Sequence, residues 1–332
     1  MIIEATKSLI EGNDLTLIDT REVFDEILSG LSDEIQTSAF LTALKTKTIT
    51  NEELEGAILS SQEALIPLSV SFNSQNSIQN LYLEKKDNII DVSFVQDLIC
   101  SANDLAISKY SFSEKHFKTA ILLGIDLNKE KDLTTLEFEN LNFGYLYLSQ
   151  NSQYFKYLNK ISRSGLFNEI LEPIYTFLNP LKSKNIFLGV KNKELVQKYA
   201  NMALSLKYDN SIFVSSNNNF PFLSLEGESF IAEAWKNKIF TYVANAELLG
   251  FKEASNDTLI CSSQEENASY ILEILEGKIK DNKYDFIILN SALSLYISKK
   301  ADSIMDGINL AKKTIDAGLA YEKLNQIRKF YQ

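Results

Sequence analysis

Arginine is almost missing from this sequence: Arg21, Arg163 and Arg328 are the only three among 33 basic residues. Arginine is the usual bidentate clamp for phosphate and carboxylate, and lysine replaces it only as a flexible point charge. A single histidine, His116, excludes a histidine-based metal cluster. The two cysteines, Cys100 and Cys261, sit far apart without a CxxC pattern, so free buried thiols in a reducing compartment are expected. No apolar run approaches the roughly 18 residues of a membrane span. The first residues, MIIEATKSLIEGND, lack the basic region and apolar run of a signal peptide. A basic surplus is absent too: 44 acidic residues against 33 basic ones give a net charge of −11, unlike the footprint of a nucleic-acid binder. GxSxG, Walker and CxxC motifs do not occur. Together these absences lead us to expect a cytoplasmic protein with neither membrane nor nucleic acid as a partner.

What is present suits a large folded core. The 332 residues are 45% hydrophobic and 11% aromatic, and a chain of this size buries roughly 75% of its unfolded surface. Residues 1–66 read as helices. Asp19 is the expected N-cap of a helix through Leu28, and Gly30 ends it. Ser32 or Asp33 opens the next, whose Ile35, Phe40, Leu41 and Leu44 recur at helical spacing. Thr50-Asn51-Glu52-Glu53 is a capping box for a third, and Pro67 closes the segment.

From about residue 78 short apolar or β-branched runs alternate with helical stretches. Leu81–Leu83, Leu105–Ile107, Ile186–Val190, Ile212–Val214 and Ile239–Val243 predict strands. Phe94–Ala102, Glu194–Leu206 and Glu265–Glu276 predict helices between them. This alternation argues for a largely parallel α/β sheet. A second helical, aromatic-rich segment spans 144–180. Two closing helices are expected over Asp285–Ile297 and Ser303–Gln326. Ser71–Ser77 reads as a polar linker and Ser215–Asn219 as a polar turn.

Two stretches carry a family resemblance. Arg21–Glu63 resembles the helical start of anthranilate phosphoribosyltransferases and pyrimidine-nucleoside phosphorylases, through Gly30, Gln36, Ala39-Phe40-Leu41, Ala43-Leu44, Lys47, Thr50, Glu53 and Gly56. Asp285–Leu324 resembles the closing helices of the same family, through Asn290, Ala292, Leu295-Tyr296, Ala301, Gly307, Ala311, Ile315-Asp316 and Gly318. Leu123-Gly124-Ile125, Phe167-Asn168, Pro173, Asn179-Pro180, Leu188-Gly189-Val190 and Leu223-Ser224-Leu225 stay in register between them. The resemblance implies an α/β fold plus a small all-helical domain, in the anthranilate phosphoribosyltransferase and nucleoside phosphorylase architecture. Residues 1–66 with 144–180 would form the helical, dimerising domain, and 78–143 with 181–332 the α/β domain. It also implies a homodimer.

The family's phosphate signature is a glycine-rich loop, GTGGD, whose bare backbone lets N–H groups reach a diphosphate. Here its place is Leu81-Tyr82-Leu83-Glu84-Lys85, and residues 57–123 contain no glycine. A second signature, KHGNR, falls on Asp104-Leu105-Ala106-Ile107-Ser108 or, with a small shift, near Ser108-Lys109-Tyr110. The acidic pair that would hold Mg²⁺ falls on Pro221-Phe222, with Glu226 and Glu228 beyond it. A family arginine facing the anthranilate carboxylate falls on Ser164, beside Arg163. The remnant anion and substrate cleft is therefore expected from Ser93, Lys109, Ser111, Arg163 and Asn168, with no confident catalytic residue and no metal ligand.

The expected function is that of a non-catalytic or repurposed binding relative, a pseudoenzyme whose ligand is a small molecule or a protein. No cofactor is expected. The alternative is an active glycosyl or phosphoribosyl transferase, the anthranilate enzyme of tryptophan biosynthesis with a rebuilt site, and only then is Mg²⁺ expected.

Overall fold

The structure, a computed structural model, describes residues 1–65, 74–82, 89–111, 117–127, 140–148 and 153–332. Pro67, Leu83, Glu84, Lys85, Lys86 and His116 lie outside the described residues. The chain divides into two compact units: Met1–Ser69 with Tyr110–Glu114 and Leu146–Pro180, and Val70–Lys109 with Lys115–Tyr145 and Leu181–Gln332.

The first unit is built on helices α1 (Ile2–Ile10), α2 (Leu17–Leu28), α3 (Glu34–Lys47) and α4 (Asn51–Ala64). Three of them begin with a reciprocal capping box, which satisfies backbone donors that a helix start leaves open. The pairs are Thr16 with Asp19, Asp33 with Gln36, and Thr50 with Glu53. Asp19 is thus the third helical residue of α2 and Thr16 is its N-cap, a correction to the expected start. Asp19 bonds back to Thr16, which a reading of Asp19 as the cap cannot accommodate. Glu53 does more than close its box. Its buried carboxylate accepts the amides of Thr50 and Leu15, both at 2.8 Å, and pairs with Lys47 at 2.9 Å.

Phe24 and Phe40 meet edge to face in this core at 6.1 Å. Ile35, expected on the same face, is instead 81% exposed. It stands in the first turn of α3, five residues before Phe40, so the helix twist carries it off the buried stripe. A Cβ at Gly56 would lie 2.4 Å from the Leu17 carbonyl oxygen, so α2 and α4 approach as only glycine permits. Helices Gln153–Ser162 and Asn168–Thr176 complete the unit. Gln62 donates to the Phe177 carbonyl at 2.6 Å and Lys45 to the Leu166 carbonyl at 2.7 Å, tying the second helix pair to α3 and α4.

The second unit is organised on a seven-stranded sheet in the order β3-β2-β1-β4-β5-β6-β7. The strands are β1 (Ser77–Tyr82), β2 (Ala106–Ser111), β3 (Phe143–Tyr147), β4 (Asn185–Gly189), β5 (Asn210–Ser216), β6 (Glu228–Trp235) and β7 (Lys238–Asn245). The last two residues of β2 and β3 are counted with the helical unit. β1 pairs parallel with β2 and β4, and β4 with β5, while β5–β6 and β6–β7 are antiparallel. The sheet is thus parallel across β2, β1, β4 and β5, as expected, with antiparallel β6 and β7 added at one side. Helices Val92–Ala102 and Lys193–Ser205 supply the crossovers that parallel neighbours require.

Two strands escaped the sequence reading. β6 carries two alanines and two glutamates and so lacks the β-branched run that marked its neighbours. β3 opens the segment read as helical from residue 144; its Phe143 and Tyr145 are both buried and meet edge to face at 5.2 Å. The final helix also splits. Ile304–Asp316 and Leu319–Phe330 are separate, because Gly318 adopts φ +73° and breaks the run. Within the stretch read as a linker, Ser74–Asn76 form a short 3-10 turn and Ser77 opens β1. Helix Asn282–Ile297 lies in the core, and Gly307 of the next helix sits against it. A Cβ at Gly307 would be 2.5 Å from the Ala292 carbonyl oxygen. Cys100 and Cys261 are both buried in this unit. No helix of the described residues is long and apolar enough to cross a membrane.

Candidate functional site

In open α/β sheets, ligands usually dock outside the carboxyl ends of the parallel strands. In this protein the ends of β1 and β4 are filled. Tyr82, the last residue of β1, is 8% exposed. Its ring stacks on Phe222 with centroids 4.3 Å apart and meets Phe187 edge to face at 5.4 Å. Phe222 in turn touches Phe220 at 4.9 Å and Phe286 at 5.3 Å. Gly189 ends β4 beneath this block. A Cβ there would fall 1.9 Å from the Pro221 carbonyl oxygen and 2.5 Å from the Tyr82 ring. The absence of a side chain at Gly189 is what lets Pro221-Phe222 close onto Tyr82. The Tyr82 hydroxyl donates to Gln96 Oε1, and burial holds it well above the usual tyrosine pKa.

Beside this block runs a buried polar network. Asp97, on the Val92–Ala102 helix, is fully buried and pairs with Lys109 of β2 at 2.6 Å. Its other oxygen accepts from Asn80 Nδ2 at 3.0 Å. Asn80 Oδ1 accepts from Ser294 at 2.7 Å, and Gln96 Nε2 donates to Ser294 Oγ and to the Asn290 carbonyl. Lys109 also donates to Ser93 Oγ at 3.0 Å, and Ser93 donates to Asp91 at 2.8 Å. Thr119 bonds the second oxygen of Asp91 at 2.9 Å. Burial raises the Asp97 pKa, and the adjacent Lys109 ammonium opposes that shift.

Of the five expected cleft residues, the structure therefore brings two together. Ser93 and Lys109 are neighbours, but each is engaged internally: the ammonium by Asp97 and the hydroxyl by Lys109 and Asp91. Ser111 ends β2 and is half-buried in the helical unit. Arg163 is exposed in the turn after Gln153–Ser162, and Asn168 is the exposed first residue of the next helix. Ser164 bonds the Ile161 carbonyl at 2.8 Å.

Pro221 and Phe222, where the resemblance places the acidic pair, offer no carboxylate, and Phe222 is 2% exposed. Glu226 is occupied by the Asn256 amide at 2.8 Å, and Glu228 opens β6. Among the described residues, no group of three His, Cys, Asp or Glu side chains is placed to hold a metal ion. The residues present do not fit Mg²⁺ at this position.

Sequence reading missed Asp97, Asn80 and Gln96, the network that binds Lys109. One signal was available. Asp97 is the only charge in the helix VSFVQDLICSA, and a lone carboxylate in an apolar helix demands a buried partner.

Comparison with known proteins accords with this architecture. The chain is 26% identical over 337 residues to anthranilate phosphoribosyltransferase of Lacticaseibacillus paracasei, covering 99% of this chain and 97% of the relative. It is 27% identical over 333 residues to the Methanobrevibacter smithii protein of the same name, covering 98% of each. Its fold is similar to the crystal structure of anthranilate phosphoribosyltransferase from Thermus thermophilus, with a TM-score of 0.82, 21% identity, and 98% and 99% of the two chains covered. A Saccharomyces cerevisiae anthranilate phosphoribosyltransferase, solved in complex with PRPP and Mg, superposes with a TM-score of 0.81 at 21% identity, covering 99% of this chain and 97% of that one. Residues 3–64 match the glycosyl transferase family helical bundle domain, and residues 85–321 match the glycosyl transferase family a/b domain. The chain belongs to this glycosyl transferase family.

Proposed function

We propose that this chain is an anthranilate phosphoribosyltransferase-like protein kept for binding rather than for phosphoribosyl transfer. The observation that carries the reading is the Tyr82–Phe222 stack at 4.3 Å. It joins the two positions where the resemblance puts the phosphate loop and the acidic pair. A multiply charged diphosphate needs backbone N–H groups and a shared cation, and two packed aromatic rings supply neither. The Lys109–Asp97 pair supports the same reading, because it holds the Lys109 ammonium against an internal carboxylate at 2.6 Å. Oriented electrostatic elements are often worth about 10²–10³ in rate each, so loss of the loop and the acidic pair together removes useful turnover.

The reading includes a homodimer formed through the helical unit. Ile3, Ile10, Leu31 and Ile35 are exposed there, and a groove of about 610 Å³ runs between α1 and α3. The ligand is a small molecule or a protein.

Isothermal titration calorimetry with PRPP and Mg²⁺ tests the reading. No metal-dependent heat is expected, and micromolar, Mg²⁺-dependent binding would refute it. The full-length similarity to anthranilate phosphoribosyltransferases favours one alternative, a transferase with a rebuilt site using Ser93 and Lys109. Growth of a tryptophan auxotroph lacking the anthranilate enzyme, restored by this chain, would establish that alternative.

A further inference from the structure

The far edge of the sheet carries a row of outward backbone groups. β7 is the edge strand, and it is joined to β6 by the two-residue turn Lys236-Asn237, with φ of +50° and +60°. Positive φ at both positions makes a type I′ hairpin, which fixes the hydrogen-bonding phase. Trp235 and Lys238 form the closing hydrogen-bonded pair, so Phe240, Tyr242 and Ala244 bond back to β6. The N–H and C=O groups of Ile239, Thr241, Val243 and Asn245 therefore point away from the sheet. No other described backbone pairs with them. Natural edges are usually blunted by proline, bulges, brevity or charged side chains, and here the charge on the strand is confined to Lys238 at its start. This one is eight residues long, its register with β6 is unbroken, and it contains no proline. Phe240 and Val243 are 48% and 47% exposed.

Charge is distributed unevenly along this edge. At the hairpin end, Trp235 is partly exposed and lies under two ammonium groups, Lys236 Nζ at 4.3 Å and Lys299 Nζ at 5.1 Å. Lys238 is paired directly with Trp235 across the strands. Nearby Glu233, which accepts the hydroxyls of Tyr242 and Tyr296, supplies one negative charge against these three lysines. The opposite end of the strand leads to exposed Glu247. In a chain of net charge −11, three lysines around one tryptophan form a local reversal of sign.

We infer that the free edge of β7 docks an extended peptide segment of a partner protein, whose acidic end lies against Lys236, Lys238, Lys299 and Trp235. The outward backbone groups supply the pairing, as in strand addition to an exposed sheet edge, and the lysines supply polarity. A nucleic acid would use the lysines and the ring but not the row of backbone groups.

Trp235 is the only tryptophan, so its fluorescence reports this corner directly. The full chain is titrated with an acetylated octapeptide of alternating valine and threonine that ends in two glutamates. A second peptide ends in two lysines. A saturable change below about 1 mM is expected for the acidic peptide alone, weakening as salt is raised. Thr241→Pro removes one outward N–H without touching the ladder to β6. It should retain the thermal unfolding midpoint and abolish binding. Lys236→Glu with Lys299→Glu should weaken binding at least about fivefold. The inference is overturned if the acidic peptide leaves Trp235 unchanged, if both peptides act alike, or if Thr241→Pro binds as well as the parent. It is equally overturned if a single-stranded oligonucleotide competes fully, or if sedimentation shows the edge occupied by a second copy that Thr241→Pro releases.

Discussion

Replacing Lys109 by methionine probes the buried pair directly. The substitution keeps the stem's volume and removes the charge, which leaves the Asp97 carboxylate with Asn80 as its remaining donor. Removing one partner of a fully buried pair costs about 3–5 kcal/mol. Lys109 is 16% exposed and Asp97 0%, so the lower end applies, about 3 kcal/mol at pH 7 after allowing for solvent screening. The cost depends on pH in a definite direction. Burial already holds the Asp97 pKa above its ordinary value, and loss of Lys109 removes the first opposing influence. A carboxyl raised in this way binds its proton more tightly folded than unfolded, so stability falls as pH rises above the unfolded pKa. The deficit of the variant is absent near pH 4 and grows towards pH 8, by up to about 1.4 kcal/mol per unit. Pairing Asp97→Asn with Lys109→Met removes both charges and recovers most of the loss. Urea unfolding followed at Trp235, which lies in the same unit, measures it. A deficit under about 0.5 kcal/mol, or one that does not change between pH 5 and 8, refutes the reasoning.

Other perturbations test the packing that closes the strand ends. Phe222→Ala leaves a cavity among Tyr82, Phe220 and Phe286 and is expected to cost about 3–5 kcal/mol in the same unfolding assay. Gly307→Ala drives a methyl to 2.5 Å from the Ala292 carbonyl oxygen. The two helices must separate, so a loss of about 1–3 kcal/mol is expected by thermal or urea denaturation.

Local chemistry was legible wherever the signal was confined to one turn. The Thr50–Glu53 box could be read directly and the start of α3 was narrowed to Ser32 or Asp33, because the bonds involved span three residues; the box with Gln36 selects Asp33. The α2 start went wrong by three residues for the same local reason: both ends of a reciprocal box carry an oxygen, and either can be mistaken for the cap. Strands with β-branched runs stood out, whereas β6, which contains Ala232-Glu233-Ala234, is a strand because β5 and β7 flank it. The candidate site was legible in part. Ser93 and Lys109 were singled out, and they are adjacent. Their role as anion ligands rested on their being available, and availability is decided by Asp91, two residues before Ser93, and by Asp97, which the fold brings against Lys109. Gly56 and Gly307 were noted through resemblance, and the structure supplies the physical cause, a helix backbone within van der Waals range of each.

The placement of the two thiols sets what chemical trapping can see. Cys100 and Cys261 are sealed within the α/β unit, their pKa values pushed up by burial, and the helical unit contains no sulfhydryl at all. A maleimide added to the native protein therefore times opening of one half of the molecule only. Melting confined to the helices would pass unrecorded, and that silence separates the two events within one sample.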